Sequence, residues 1–587
     1  MIKNLNVQLL LVRFLLLYIF LFGSNQVNCL AQQKEYFQQF VDYKIEVTLD
    51  DENHILQGKI NMKYTNNSPD VLDRIGMHLW PNAFSNNNTA FGKQKLLHRK
   101  TEFYDAKTNE LGSIYNLHFL VDGDETKLEY LKNQSDQAWL LLNKPLLPGK
   151  TINIETPFTV KIPTSFSRLG HVDQTYQITQ WYPKPAVYDK KGWHLMPYLD
   201  QGEFYSEFGN FEVTIKIPEN YVVGATGTLE TDSEKEFLNQ RILLTNQFIK
   251  DGINKFSKMV PSSGTLKTIR YKAEMVHDFA WFADKKFYVQ QDQIILESGK
   301  KVITWAMFNT LGAWTDAVKF VGRAVAFYSK HVGEYPYPQA TAVHSALSAG
   351  AGMEYPMITV IGNERFSKGL DEVITHEVGH NWFYGILASN EREHPFLDEG
   401  INSYYEDRYM EEYYPNSSIS NLGILSKFTG GFDENELIYQ YLGRTYLDQF
   451  PDQHSENFSL INYGTDVYTK SAKLFEDAEE YLGLIDFDRI MKKYYESWKF
   501  KHPYPEDLEK IFTENSNKNM DWLFHYFLNT NKKMDYSIRA IKHQNDSVEI
   551  LIKNSGQVPA PFQIACLQDD QIKYSEWVDG FFGNKKI

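Results

Sequence analysis

Three residues in the stretch ITHEVGHNWFYG, residues 374–385, have the types and the spacing of a metal site. His376 and His380 are four positions apart, so on a helix they share one face at about 5–6 Å between Cβ atoms. Two imidazole nitrogens can then reach one ion at about 2.0–2.1 Å. Glu377 would lie beside that ion and take a proton from its water. The spacing therefore predicts a zinc site with a glutamate base; the alternative is an ordinary helix that carries three polar residues.

A carboxylate further along the chain completes this set. Eighteen residues separate His380 from Glu399, which lies in the first turn of a helix that we expect to begin near Asp398. Two histidines and one carboxylate leave a fourth zinc position open, as in catalytic rather than structural zinc sites. The alternative role of Glu399 is a helix-start carboxylate favoured by the helix dipole. Asp398 and Asp371 are candidates for hydrogen bonds to the metal ligands.

The elements that must position these residues follow from the hydrophobic pattern. From Tyr36 to Lys258 the chain mostly alternates, as in YKIEVTLD (43–50), which predicts a large antiparallel β-domain. From Ser262 onward apolar residues recur at helical spacing, and strands return after Asp535. We predict a signal peptide at 1–31, a β-domain at 32–261, a catalytic domain with a helical part at 262–534, and a C-terminal β-domain, whole or incomplete, at 535–587.

Composition excludes some partners. The chain has 587 residues, enough for about three or four domains, and a formal net charge of −15. Nucleic acid is not an expected partner, because phosphate binding requires a basic face.

The first residues predict export to a periplasm or to the outside. Lys3 precedes an apolar run from Phe14 to Gly23, and Cys29-Leu30-Ala31 offers a cleavage site. The alternatives are a membrane anchor, although the run is shorter than the ~20 residues of a span, and a lipid attached to Cys29. Cleavage after Ala31 would remove any stable membrane span and leave Cys566 without a disulfide partner in the chain.

The sequence HEVGH, the gap of eighteen residues and LDEG together resemble the gluzincin aminopeptidases, the family of aminopeptidase N and leukotriene A hydrolase. The resemblance implies that His376, His380 and Glu399 bind one zinc ion and that Glu377 is the general base. It also implies a multidomain α+β fold: an N-terminal antiparallel β saddle, a thermolysin-like α/β catalytic domain with a helical extension, and a short C-terminal β segment. It covers residues 40 to 560 approximately.

A second motif carries the resemblance to the substrate site. Residues 351–355, Ala-Gly-Met-Glu-Tyr, are similar to the family's Gly-x-Met-Glu-Asn strand, with Ala in place of the first Gly and Tyr in place of Asn. The resemblance implies that Gly352, Met353 and Glu354 border the substrate and that Glu354 binds its free α-amine. A carboxylate at a fixed distance from the metal would select a charged N-terminus.

Two more segments are similar to family motifs. VYTKSAKLF (467–475) implies that Tyr468 donates a hydrogen bond to the oxyanion, with Ser471 in place of the usual Gly and Tyr463 as a second candidate. ITQWYPKPAVYD (178–189) implies that Gln180 touches the amine, whereas Tyr182 stands where relatives have a second polar or acidic group.

The sequence thus predicts a zinc-dependent aminopeptidase that acts on peptides with a free N-terminus; it leaves the oligomeric state open. One alternative is a thermolysin-type endopeptidase, which needs no amine anchor such as Glu354. Others are a non-catalytic binding scaffold of the same fold and an epoxide hydrolase like the leukotriene enzyme.

Overall fold

The computed structural model describes residues 36–252, 260–344, 352–415, 434–544, 547–569 and 571–587. The signal peptide expected at 1–31 and Ala351 of the second motif lie outside these ranges. Each helix within them is too short or too polar to cross a lipid bilayer.

The β-rich part runs from the first described strand to Asp284. Its strands are β1 (Phe40–Asp50), β2 (Ile55–Thr65), β3 (Leu72–His78), β4 (Ser113–Tyr115), β5 (Leu120–Val121), β6 (Asp124–Glu125), β7 (Leu128–Leu131), β8 (Gln134–Leu146), β9 (Thr151–Lys161), β10 (Gly170–Val172), β11 (Thr175–Ile178), β12 (Lys184–Pro185), β13 (Tyr188–Asp189), β14 (Gly192–Trp193), β15 (Gly209–Pro218), β16 (Val222–Ala225), β17 (Thr228–Leu229), β18 (Leu266–Val276) and β19 (Trp281–Asp284).

Nine of these strands form one large sheet in the order β17-β18-β15-β1-β2-β9-β5-β6, with β4 also paired to β9. Alternate side chains of β1 are buried, as the alternating sequence predicts. The pairing differs from the prediction at one place, because β1 and β15 run parallel, with Ile45 opposite Val213. The two strands are far apart in sequence, so the chain can return to the same end of the sheet before β15 begins.

Three smaller sheets complete the β-rich part. They have the orders β10-β11-β19-β16, β12-β3-β8-β7 and β13-β14. Strands β18 and β19 follow the predicted boundary at 261/262 and still pair within the β-rich part. The strands that follow β19 pair in a separate sheet, whose first strand begins at Tyr288.

Two helices lie in the region where the sequence pattern was mostly strand: α1 (Ala90–Leu97) and α2 (Asp232–Asp251). Helix α2 has Asp232 and Glu234 in its first turn and Lys250 in its last, which suits the helix dipole. Gly252 ends it in the left-handed conformation, at φ 64°.

The predicted catalytic part is built on a five-stranded sheet: β20 (Tyr288–Ile295), β21 (Lys301–Phe308), β22 (Gln339–His344), β23 (Gly352–Tyr355) and β24 (Ile358–Ile361). Its order is β20-β21-β22-β24-β23, with a parallel centre and antiparallel edges. The edge strand β23 carries the second motif.

Helices pack against this sheet and extend the chain beyond it. They are α3 (Ala317–His331), α4 (Ser367–Gly379), α5 (Glu399–Tyr413), α6 (Glu434–Thr445), α7 (Ser471–Leu482), α8 (Leu484–Trp498) and α9 (Pro505–Asn515). A π-helix, Tyr463–Lys470, leads directly into α7, and a second one spans Trp522–Phe527.

Five strands end the described chain: β25 (Tyr536–Gln544), β26 (Ser547–Asn554), β27 (Phe562–Gln568), β28 (Gln571–Val578) and β29 (Gly583–Lys586). They form a three-stranded and a two-stranded sheet. The predicted multidomain α+β fold is therefore confirmed.

The β13–β14 hairpin joins the β-rich part to the catalytic and helical parts. His194 Nε2 lies 2.9 Å from Asp189 Oδ1, and His194 Nδ1 lies 3.4 Å from Glu393 Oε1, on the loop before α5. The Tyr504 hydroxyl, at the start of α9, donates to Asp189 Oδ2 at 2.5 Å. Burial opposes the charge on His194, but hydrogen bonds to Asp189 and Glu393 outweigh it and raise its pKa to about 9.

We predict that His194→Gln lowers the melting temperature by roughly 2 to 4 °C near pH 6, and by much less near pH 10. A raised pKa in the folded state adds stability that is complete below the ordinary value of 6.5 and lost as the pH rises through about 9. The measurement is thermal unfolding of both proteins across that range. His525→Gln, at an exposed histidine, is the control. An equal difference at both pH values would exclude a charged His194.

Candidate functional site

Helix α4 places the first two residues of the zinc motif. It begins at Ser367 and ends at Gly379, so His376 and Glu377 lie in its last turn and His380 directly follows it. Phe366 precedes the helix, and no side chain caps its first turn. The Nε2 atoms of His376 and His380 are 3.0 Å apart.

Helix α5 brings the third ligand. It begins at Glu399, whose Oε2 lies 3.2 Å from the Nε2 atom of His376 and 3.2 Å from that of His380. Ligand atoms of a tetrahedral zinc ion with bonds of about 2.0–2.1 Å are about 3.3 Å apart. The three atoms therefore meet at the separation that one zinc ion requires.

Two further carboxylates fix the orientation of the imidazole rings. His380 Nδ1 lies 2.5 Å from Asp398 Oδ1, and His376 Nδ1 lies 2.7 Å from Glu406 Oε2. An Nδ1–H that donates to a carboxylate leaves the Nε2 lone pair free for a metal. The donor set thus fits zinc. Asp398 has the role suggested by its position; Glu406 was missed, although it lies seven residues after Glu399 and so on the same face of α5.

Asp371, the other candidate for such a contact, binds elsewhere. Its carboxylate is paired with Arg323 of α3 and accepts a hydrogen bond of 2.8 Å from the Tyr409 hydroxyl of α5. It ties three helices together rather than touching a histidine of the site.

The two ligand-bearing helices are held at close range by Asn402. Its Nδ2 donates to the carbonyl oxygen of His376 at 2.8 Å, and its Oδ1 accepts from the Tyr328 hydroxyl at 2.8 Å. A Cβ atom on Gly379 would lie 2.0 Å from that Oδ1, so glycine is required there.

Glu377 faces the same space from α4. Its Oε2 is buried and has no hydrogen-bond partner among the described residues. Burial raises its pKa to about 7, against the lowering effect of the charges on His376 and His380. A Cβ atom on Gly352 would lie 2.2 Å from Glu377 Oε1, so this glycine of the second motif makes room for the carboxylate.

Strand β23 brings Glu354 and Met353 to the site. The structure brings Glu354, Glu377 and His380 together, with one ligand atom of each within 4.8 Å of the others. Burial raises the pKa of Glu354 well above its ordinary value. The Met353 thioether accepts from Arg168 Nε at 3.0 Å, which fixes the side chain before Glu354.

The π-helix supplies two tyrosines. The Tyr468 hydroxyl donates to Glu399 Oε1, and its ring stacks on that of His376 at a centroid distance of 6.0 Å. The Tyr463 hydroxyl is buried without a partner in the described part of the chain. π-Helical turns often occur at functional sites, because they shift the side chains that follow.

Gln180 is not brought to this group. Its Nε2 donates to Asp278 Oδ2 at 3.3 Å, and its Oε1 accepts from the Tyr355 hydroxyl at 3.2 Å. The Tyr182 hydroxyl donates to the same Asp278 at 2.8 Å. Both side chains are thus used in the core beneath the site, and neither is among the described residues that line the cavity.

The β-rich part instead contributes Glu203, which sequence reasoning missed. One of its oxygens pairs with Arg168, and its Oε2 is buried without a donor in the described ranges. Arg392 holds the backbone there, donating to the carbonyl oxygens of Gly202 and Glu203 at 3.1 to 3.3 Å. Glu203 is not part of a recognised sequence motif. Only the folded structure shows that it lines the same cavity as the residues of the zinc motif.

The two histidines, Glu377, Glu399, Glu354 and Glu203 border one cavity of about 890 Å³. Its described lining includes both tyrosines of the π-helix and many acidic side chains, namely Asp200, Glu203, Glu354, Glu364, Glu372, Glu377, Glu399 and Glu406, with Lys100, Arg168 and Lys368 as the main cations. Such a cavity suits a cationic group beside a metal.

Residues 317–527 match the model of the peptidase family M1 domain. The curated relatives include aminopeptidase M1-A of Oryza sativa subsp. japonica, 22% identical over 37% of this chain and 25% of its own length. Aminopeptidase Q of Mus musculus is 25% identical over 36% of this chain and 40% of its own length. The chain therefore spans less than half the length of these curated relatives in the matched regions.

Solved structures agree over a larger part of the fold. Legionella pneumophila aminopeptidase A in complex with aspartic acid aligns with a TM-score of 0.64 and 13% identity, over 95% of this chain and 57% of that one. An M1 zinc metallopeptidase from Deinococcus radiodurans aligns with a TM-score of 0.54 and 12% identity, over 85% of this chain and 95% of that one. The fold is shared with these proteins, and the match of residues 317–527 to the peptidase family M1 domain supports the resemblance to the gluzincin aminopeptidases.

We predict that Glu406→Ala weakens zinc binding about 10–100-fold, because His376 loses the acceptor for its Nδ1–H. Competition with a chromogenic chelator measures the affinity directly. Glu411→Ala, at an exposed glutamate on the same helix, is the matched control and should bind zinc like the unchanged protein. Equal affinities for the two variants would contradict the role of Glu406.

Proposed function

We propose that the protein is a zinc aminopeptidase that holds one zinc ion and removes single residues from the free N-terminus of peptides. One observation carries the proposal: the unpartnered carboxylate of Glu354 lies next to Glu377 and His380, with ligand atoms within 4.8 Å. A positively charged N-terminus bound at Glu354 would bring the first peptide bond to the zinc ligands.

The metal ligands and Glu377 have separate roles in peptide hydrolysis. Zinc, when bound by His376, His380 and Glu399, supplies a Lewis acid that polarises the scissile carbonyl and acidifies water. Glu377 accepts the proton of the attacking water and passes it to the leaving amine. Its pKa near 7 suits both steps, since the group must take up a proton and release it again.

Glu354 and Glu203 bind the ammonium group. Each has a buried carboxylate oxygen without a donor in the described structure, and both line the cavity. An ammonium group has three N–H donors, so it can satisfy two carboxylates at once. In this proposal Glu203 has the role that the family resemblance implied for Gln180.

Tyr468 is the donor that we assign to the carbonyl oxygen. Its hydroxyl is bound to Glu399, so it lies at the edge of the metal site, where negative charge develops on that oxygen. Tyr463, with an unpartnered hydroxyl in the same cavity, is the second candidate.

We predict that the protein hydrolyses aminoacyl-coumarin substrates and not their N-acetylated counterparts, because acetylation removes the charge that Glu354 and Glu203 bind. Glu377→Gln should lower kcat about 10²–10⁴-fold while zinc content stays the same. A chelator should abolish turnover, and added zinc should restore it.

Two results would refute the proposal that the protein is an aminopeptidase. Hydrolysis of blocked peptides would make the protein an endopeptidase of the thermolysin type. A folded, zinc-loaded protein that cleaves neither set would favour a binding scaffold.

We further predict that Glu203→Gln raises KM for free-amine substrates about tenfold, since one charge-assisted hydrogen bond to the ammonium is lost. Gln180→Asn should leave KM within about twofold, because Gln180 lies beneath the cavity. Steady-state kinetics on one aminoacyl-coumarin compares the two variants. A larger effect on KM at Gln180 than at Glu203 would restore the assignment made from the sequence.

A further inference from the structure

Glu391 is a buried acid that none of the motifs assigns. It lies on the loop between α4 and α5, is 0% exposed, and is absent from the described lining of the cavity. It therefore sits behind the site, where neither substrate nor bulk water reaches it.

Three carboxyl groups meet at this point. Oxygen atoms of Glu354, Glu391 and Asp398 lie within 4.8 Å of one another. Asp398 Oδ1 is bound to His380 Nδ1, but its Oδ2, both oxygens of Glu391 and Oε1 of Glu354 receive no hydrogen bond from the other described residues. The cluster thus includes both the hydrogen-bond partner of His380 and the proposed amine anchor.

The arginines beside the site do not neutralise this cluster. Arg168 donates to Glu203 and to the carbonyl oxygens of Leu199 and Asp200. Arg392 donates to backbone carbonyl oxygens of the loop that carries Glu203. Each free carboxyl oxygen is buried, with less than 1 Å² of accessible surface.

Three carboxylates buried this close together cannot all be ionised, and one of them holds a proton. Burial raises the pKa of Glu391 well above its ordinary value, and the charges of Asp398, Glu203 and Glu354 raise it further. Asp398 is bound to His380, and Glu354 also faces the cavity. Glu391 is thus the member of the cluster on which the proton belongs.

We propose that Glu391 is a positioning residue whose neutral carboxyl group donates a hydrogen bond to Asp398 and thereby keeps that carboxylate directed at His380. The zinc ligand and the amine anchor Glu354 are then joined through one buried proton. The inference rests on the proposed function only in taking His380 as a zinc ligand.

Two substitutions test whether zinc binding depends on a hydrogen bond donated by residue 391 or on its negative charge. Glu391→Gln keeps a donor and removes the ionisable group; Glu391→Met keeps the approximate length and removes both. We expect Glu391→Gln to bind zinc within about threefold of the unchanged protein, and Glu391→Met to bind it about 10–100-fold more weakly. Zinc affinity is measured by chelator competition, metal content by elemental analysis, and kcat and KM on one aminoacyl-coumarin.

Glu297→Met, at an exposed glutamate of the catalytic part, is the control for the substitution itself. Zinc binding by Glu391→Gln that is as weak as that of Glu391→Met would overturn the proposal, and so would unchanged binding in Glu391→Met. Loss of a second metal ion per chain in Glu391→Gln would show that the cluster holds a cation instead. If Glu391→Met does not fold, Glu391→Gln decides alone: a tenfold loss of zinc affinity contradicts a neutral donor.

The two proposals fail in different ways. Absence of peptide hydrolysis by the unchanged protein would refute the aminopeptidase, while the zinc affinities of the two variants would still test Glu391. Normal hydrolysis with the opposite order of affinities would refute only the role of Glu391.

Discussion

The convergence of three ligand atoms from two helices is the constraint on which the rest of the structure depends. His376 and His380 come from the end of α4 and Glu399 from the start of α5, and their atoms must meet within about 3.3 Å for one zinc ion. Asn402 bridges the helices through the carbonyl oxygen of His376. A side chain on Gly379 would force them apart. A loss of packing between α4 and α5 would therefore act on the metal site first.

Charge balance is the second constraint. The site gathers many buried carboxylates, yet its two buried arginines are occupied by Glu203 and by backbone carbonyl oxygens. Buried charge without a counter-charge is costly, so such an arrangement requires a metal ion, a cationic substrate group or bound protons. In our proposals zinc is held by Glu399 and the histidines, the substrate ammonium by Glu354 and Glu203, and a proton by Glu391. These four acids are then balanced by a metal ion, an ammonium group or a proton.

The β-rich part is more than a support. Its loop delivers Glu203 to the catalytic cavity, and Arg392 fixes that loop to the segment before α5. The hairpin that carries His194 makes a second connection to the same segment through Glu393. In the proposed function, recognition of the substrate amine depends on contacts between parts of the chain that are far apart in sequence, whereas the proposed metal ligands lie within 24 residues of one another.

The sequence by itself determined what local spacing can determine. The i, i+4 histidines, the glutamate between them and Glu399 follow from helix geometry and from a motif, and alternation predicted the strands of the large sheet. Tertiary structure alone decided which distant groups meet. The parallel pairing of β1 with β15, the removal of Gln180 to the core, and the arrival of Glu203 and Glu391 at the site all depend on long-range packing. The periodicity of the sequence does not predict such contacts, because residues far apart along the chain can be neighbours in the folded protein.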